Sequence, residues 1–467
     1  MSDAHPADTI VARATPPGQG AIAIVRLSGP LTPRIVSSCF RALSGTFDWE
    51  TCELRKFRRG VWQSPDTNNP IDDIQLVIAR APNSYTGEDL SEIHCHGSPA
   101  VVDAVLQSCL QSKARLATPG EFTRRAFLNG QLDLVQAEAV CDLIVSSNEA
   151  ARRLAFHQIK GKASEELTAL RSQLVTVIAE IEARLDFTDE QLEPLDRGQL
   201  LREMQLVIAA VETLMKNAHQ GRVAREGARL VICGRPNTGK SSLLNALAGR
   251  ERAIVTAHPG ATRDTIECTL DVDGYALTFV DTAGLRLADD PIEQLGVERT
   301  HHEIESADLV LWLIDGSEPL HEEDLEIAQR LSASYHLALL NKSDLPTQTT
   351  AAAVVEQAND NSTMLAISAL RGDGLVELER LILDCVIGER DGLAPEGALI
   401  ANIRHLELLK RAEKSMLQAH QRFQEDVSGE FITIDLNEAL NAISEILGLS
   451  VGDEVLDCIF SNFCIGK

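Results

Sequence analysis

The stretch GRPNTGKS, Gly234 to Ser241, lies between the apolar run RLVIC and the run SLLNALAG. A G-x-x-x-x-G-K-S pattern between a strand and a helix makes a turn whose inward N–H groups meet a helix N-terminus, a cradle for phosphate oxygens. Glycines at both ends let the backbone turn where a Cβ would clash. Asn237, Thr238, Gly239, Lys240, Ser241 and Ser242 are the candidate phosphate contacts, with Lys240 neutralising the β and γ phosphates and the Ser241 hydroxyl ligating Mg²⁺. An ordered set follows. LTFVDTAG puts Asp281 at a strand end to hold the Mg²⁺ shell, then Thr282, Ala283 and Gly284, whose amide faces a γ-phosphate. GATRD, Gly260 to Asp264, lies between and supplies Thr262 as a second Mg²⁺ ligand. LALLNKSD places Asn341, Lys342 and Asp344 after an apolar strand, and ISAL places Ser368 and Ala369 against the base. The Asp344 carboxylate can accept from guanine N1–H and its exocyclic amine. Adenine lacks that donor pair, a mismatch costing about 10⁴-fold in comparable sites. The nucleotide these residues imply is GTP.

The motifs resemble those of the translation-factor-like GTPase superfamily, with one departure. Leu285 stands where small signalling GTPases carry a water-orienting Gln. Leucine cannot hydrogen-bond a nucleophilic water, so that task falls to another group. Asp289, Asp290 and Glu293 are the nearby carboxylates, and residue chemistry does not choose among them.

Two further clusters invite chemistry. The chain ends SNFCIGK, and Cys464 has the outline of a prenylation site, but Gly466 is not aliphatic, Lys467 is not a usual last residue, and no polybasic run precedes it. IHCHG brings His94 and His96 to one strand face, yet no second ligand cluster completes a tetrahedral zinc set, so packing is the expectation.

The elements that must position these residues read in four stretches. Residues 1–120 mix the β-like runs AIAIVRLSG and IQLVIAR with the helical SPAVVDAVLQSCLQ, an α/β domain. Residues 121–221 are helical, with Leu167, Leu170, Leu174, Ile178, Ile181 and Leu185 on one stripe. Residues 222–385 alternate β-branched strands with helices, as a mainly parallel sheet requires. Residues 386–467 are helical again and are expected to complete the earlier helical layer, making the sheet domain an insertion. The fold class is therefore α/β plus α.

Composition narrows the partners. With 43 Lys and Arg against 69 Asp and Glu, the net charge of −26 repels a phosphate backbone, so any nucleic acid must meet a local basic patch or a partner. RKFRRG and FTRRAF are candidate patches, but such short runs read first as solvated surface. Aromatic content of 4% argues against stacking platforms for single-stranded RNA. Ten cysteines without a C-x-x-C pair, some inside apolar runs such as Cys233 and Cys385, and an N-terminus MSDAHPADT unlike a signal peptide, point to a reducing cytoplasm. No apolar run approaches membrane-spanning length, so no membrane is expected.

The domain order, the GTPase motifs and the terminal FCIGK together resemble the MnmE (TrmE) family of tRNA-modification GTPases. The resemblance covers nearly the whole chain, including DTIVARATPPGQGAIAIVRLSG, PNSYTGED and PGEFTRRAFLNGQLDLVQAEAV. It implies a tetrahydrofolate-binding, dimerising N-terminal domain to which the last residues return, with Cys464 as an active-site thiol. It implies a one-carbon tetrahydrofolate (5,10-methylene or 5-formyl) contacted by Arg26, Glu92, Lys467 and position 131, where this chain has Gln131 in place of the frequent Lys or Arg. An FAD-dependent partner of the MnmG (GidA) type would complete a heterotetramer with the homodimer. Together they would build an aminomethyl or carboxymethylaminomethyl group on carbon 5 of the wobble uridine of certain tRNAs. K⁺ would replace an arginine finger, held by Asn237 and by the loop Thr256, Ala257, His258, Pro259, Gly260, Ala261 and Thr262, with Thr256, His258 and Ala261 at the coordinating positions. The family commonly has two threonines where this chain has Ala261 and Thr262, so Ala261 could offer only its carbonyl. The family's water-orienting carboxylate falls on Glu293. Cys464 could add to uridine C6, or merely pack. The competing class is a GTP-dependent ribosome-assembly switch, which shares the GTPase motifs but carries basic RNA-binding appendages.

Overall fold

The computed structural model describes residues 8–186, 197–250, 252–253, 266–281, 303–304, 306–332, 335–358, 362–388 and 400–467. They form two units, Met1–Cys141 with Ser444–Lys467, and Asp142–Ile443.

In the first unit, β1 (Ile10–Arg13), β2 (Gly20–Ser28), β3 (Phe40–Ala42), β4 (Arg58–Gln63), β5 (Pro70–Ala79), β6 (Leu90–Gly97) and β7 (Arg115–Leu116) form a sheet in the order β3-β4-β5-β6-β2-β1-β7. The pairs are antiparallel except β1 with β7. Alternation along β2 decides which side chains face inward: Ala23, Val25 and Leu27 are fully buried, whereas Ile22 is 65% exposed. The inward residues meet Ile35, Val36, Val102 and Val105 of the helices Thr32–Cys39 and Pro99–Gln111. Burying each such side chain contributes about 2 kcal/mol. On the opposite side of the sheet the register sets Arg26 against Glu92 and Ile24 against His94.

The basic run FTRRAF is not solvated surface. Arg125, in the helix Glu121–Leu128, is only 13% exposed and pairs with Asp8, Glu88 and Glu121. Arg115 pairs with Asp8 and Glu121 as well, and Arg124 with Asp457 at 2.9 Å. Burial pushes the Glu121 carboxyl up, but Arg115, the Thr118 amide and Arg125 outweigh it and hold it at about 2. The two histidines of IHCHG differ: His94 is largely buried, whereas the His96 side chain is 69% exposed. His94 lies edge-on to Phe57, His96 Nδ1 contacts Asp72 at 2.7 Å, and no metal-holding cluster occurs among the described residues.

The second unit holds β8 (Ala228–Cys233), β9 (Arg252–Ala253), β10 (Ile266–Val272), β11 (Tyr275–Asp281), β12 (Leu309–Asp315), β13 (His336–Asn341) and β14 (Thr363–Ala366), in the order β14-β13-β12-β8-β11-β10-β9. The sheet is parallel from β14 to β11, with an antiparallel edge at β10 and β9. Every residue of β12 is buried, as a strand covered on both faces requires.

The helical part surrounds this sheet in sequence. Leu167, Leu170, Leu174, Ile178 and Ile181 form the buried stripe of the helix Lys162–Asp186. The helix before the sheet, Arg197–Glu226, packs against the helix after it, Ile403–Gln424. Gly221 permits that approach, since a Cβ there would lie 2.1 Å from the Ile400 carbonyl oxygen. Arg197 stacks 4.7 Å over the Phe423 ring. The segment expected to complete the helical layer divides: Ile403–Gln424 joins it, whereas Ser444–Lys467 belongs to the first unit.

Candidate functional site

β8 delivers the chain to Gly234, and the helix Lys240–Arg250 leaves the loop. Gly234 has φ +148°, and a Cβ there would come 2.3 Å from the Leu313 carbonyl oxygen. Asn237 takes φ +62°, within the left-handed region that side chains disfavour. Thr238 Oγ1 donates to the Arg235 carbonyl at 2.9 Å, and Lys240 Nζ donates to the carbonyls of Gly234 and Arg235, both at 2.7 Å. The lysine head is thus held across the loop it would share with a phosphate. Ser241 and Ser242 follow in the first helical turn. Asp281 ends β11 in register with Ile232 of β8, so this strand end is brought beside the loop.

One side chain joins three of the motifs. Asn341 is 2% exposed. Its Nδ2 donates to the Thr238 carbonyl at 2.7 Å, and its Oδ1 accepts from the Ala369 amide at 3.0 Å. Beyond it Lys342 adopts φ +64°, and its Nζ pairs with Asp315. Asp344 accepts from Ser368 Oγ at 2.6 Å, a bond that lowers its carboxyl below the usual range. Residues read from the sequence as phosphate and base contacts therefore sit in one connected loop cluster. Asp315 and the bracing role of Asn341 were not read from the sequence, since their partners are far along the chain.

The expectations for Thr256, Ala257, His258, Pro259, Gly260, Ala261, Thr262, Thr282, Ala283, Gly284, Leu285, Asp289, Asp290 and Glu293 lie outside the described residues.

The first unit gathers the second set. Arg26 donates from Nε and Nη2 to Glu92 Oε1 at 3.1 and 2.8 Å, and from Nη1 to the Gly466 carbonyl at 3.3 Å. Its guanidinium lies 5.5 Å from the Tyr85 ring centroid and 5.7 Å from that of Phe122. Both aromatic partners went unread in the sequence. The Lys467 amine is pushed down by burial and further by the Arg26 charge, against the pull of Glu92. The Gly120 amide lies 3.5 Å from the Cys464 carbonyl oxygen, and Cys464 itself is exposed. A Cβ on Gly466, at φ +97°, would come 2.2 Å from the Arg13 carbonyl oxygen. Gln131 lies against Gly87 of the turn-rich segment that also carries Tyr85.

Comparison with known proteins covers both units. The MnmE helical-domain family model matches residues 134–464, and that of the GTP-binding protein TrmE N-terminus matches residues 9–131. The tRNA modification GTPase MnmE of Natranaerobius thermophilus is 39% identical over 98% of this chain and 99% of its own length. That of Thermotoga maritima is 41% identical over 98% of this chain and all of its own, 100%. Among solved structures, the G domain of the T. maritima FeoB iron transporter is similar to 34% of this chain and 98% of its own, at 24% identity and a TM-score of 0.27. Because the likeness runs through the N-terminal sheet, the helical layer and the inserted sheet alike, the chain belongs to the MnmE family of tRNA modification GTPases.

Proposed function

We propose that the chain hydrolyses GTP and uses that cycle in modifying carbon 5 of the wobble uridine of certain tRNAs. Residues 1–120 would bind a tetrahydrofolate derivative and dimerise, 121–221 and 386–467 would form the helical part with the terminal cysteine motif, and 222–385 would bind GTP. One observation carries the reading: a terminal thiol segment is seated beside the Arg26–Glu92 pair, in a chain whose relatives along 98% of its length are named for tRNA modification.

In the nucleotide site the loop amides bind phosphate and Lys240 spreads its charge over the β and γ groups. Glycine is required at 239, since a Cβ there would meet Asn341 Nδ2 at 2.3 Å and part the phosphate loop from the base loop. Ser241, Thr262 and Asp281 would hold Mg²⁺. Asn237, Thr256, His258 and Ala261 would hold K⁺, a fixed cation supplying the charge stabilisation that an arginine finger gives elsewhere. Glu293 would orient the attacking water, and Asp344 would select guanine.

In the terminal site the acceptor Glu92 beside Arg26 and Lys467 suits the mixed donor and acceptor edge of a folate ring, and the half-buried cations suit its carboxylates. When bound, the folate supplies the one-carbon unit. Arg26 holds the tail in place, and Cys464 presents its thiol toward solvent for addition to a pyrimidine. A homodimer, an FAD-dependent MnmG (GidA) type partner in a heterotetramer, and a cytoplasmic setting complete the proposal. No described helix is long and apolar enough to cross a membrane. Deleting the gene and resolving tRNA nucleosides by mass spectrometry tests the reading: loss of the modified wobble uridine is expected, and unchanged nucleosides overturn it.

A further inference from the structure

The turn after β12 belongs to no nucleotide motif, yet it is tied to the base loop at both ends. Asp315 closes β12 opposite Asn341 of β13 and is 4% exposed. Its Oδ1 accepts from the Ser317 amide at 3.0 Å and from Ser317 Oγ at 2.6 Å, while its Oδ2 accepts from Lys342 Nζ. The Gly316 amide donates to the Asn341 carbonyl at 2.9 Å. The Gly316 carbonyl accepts from the amides of Gln348 and Thr349 at 2.8 and 3.2 Å, so the segment leaving the base loop returns to the same turn.

Lys342 occupies the left-handed region without being glycine, and such a residue persists only where its surroundings hold it there. Asp315 grips its side chain, beside the backbone bonds from the Gly316 amide to Asn341 and from the Ser343 amide to Ile367 at 2.9 and 3.1 Å. Burial pushes its carboxyl up, but Lys342 and the two Ser317 donors reverse this and hold it below the usual range, so the charge persists at neutral pH. The turn that Lys342 opens is closed by the Leu345 amide donating back to the Lys342 carbonyl at 2.9 Å, and Asp344 lies inside it. Ser368 restrains the Asp344 carboxylate from the other side at 2.6 Å.

We propose that Asp315 is a positioning residue for guanine selection: by gripping Lys342 it sets the turn that aims the Asp344 carboxylate at the base edge. The proposal rests on the guanine reading of the site. Inosine diphosphate supplies a probe, since hypoxanthine keeps N1–H but lacks the exocyclic amine, and only a well-aimed carboxylate profits from both donors.

The test titrates full-length wild type, Asp315→Asn and Ser317→Ala with GDP and with inosine diphosphate, in Mg²⁺, beside a thermal melt. Asp315→Asn is expected to weaken GDP about 10-fold and to lower the GDP-to-inosine-diphosphate affinity ratio about 5-fold, with Ser317→Ala moving the ratio the same way by less. Equal weakening of both nucleotides, or an unchanged ratio, overturns the positioning role and leaves an ordinary structural ion pair. If Asp315→Asn does not fold, an unchanged ratio in Ser317→Ala overturns it. A wild type that binds both nucleotides alike refutes the guanine reading beneath it, a separate outcome.

Discussion

In the first unit the terminal thiol segment is seated by backbone fit, with Gly466 and Gly120 at positive φ and a neighbouring backbone oxygen within 2.6 Å of where each Cβ would stand. In the second unit the base loop is seated by side chains: Lys342 bears the left-handed turn itself, and Asn341, Asp315 and Ser368 hold it through polar bonds. A backbone seat tolerates no added carbon, because nothing soft lies beyond it. A polar seat tolerates change in size but not the loss of a donor or acceptor. The two sites should therefore fail differently.

The largest expected effect is at Gly466→Ala. The added methyl must displace the tail from Arg13, so wobble-uridine modification should fall by about 100-fold or more, while GTP hydrolysis continues. Nucleoside mass spectrometry beside a phosphate-release assay reads both, and retained modification would break the contrast. Next in size is Asn341→Ala, which frees the Thr238 carbonyl and the Ala369 amide in a buried setting. Guanine-nucleotide affinity should drop about 30- to 100-fold, checked by titration of a fluorescent GDP, with modification failing only as a result. The smallest effect concerns acid. Because Glu121 is depressed from its ordinary 4.5 to about 2, its stabilisation is fully present above pH 4.5 and is lost as pH falls toward 2. Glu121→Gln should flatten that part of the stability–pH curve, measured by denaturant unfolding, and an unaltered slope would remove Glu121 as its source.

How much of this was legible depended on how local the information is. The nucleotide loop, Asn341, Lys342 and Asp344 could be read because each motif is contiguous and flanked by the strand it needs. The strands β2 and β5 were legible as the β-like runs AIAIVRLSG and IQLVIAR. The FTRRAF arginines were misread because the carboxylates that consume them lie elsewhere: Asp8 is 117 residues from Arg125 and Glu88 is 37. A window of basic residues looks the same whether its partners are water or distant acids. Asp315 was passed over for the same reason, being one acid at the end of an apolar strand until the fold sets Lys342 against it. The seating of Cys464 could be anticipated only from the family resemblance, since nothing periodic in SNFCIGK signals that Arg26 receives Gly466.

The return of Ser444–Lys467 to the first unit has a consequence for biosynthesis. The cluster in which Leu134 and Ala137 bury Leu456, Phe460 and Phe463 cannot close until the ribosome has passed the inserted sheet and reached Phe463. Throughout elongation the nascent chain carries an apolar patch around Phe127 and Leu134 awaiting its cover, a target for chaperones. A chain cut before Leu456 would keep that patch bare.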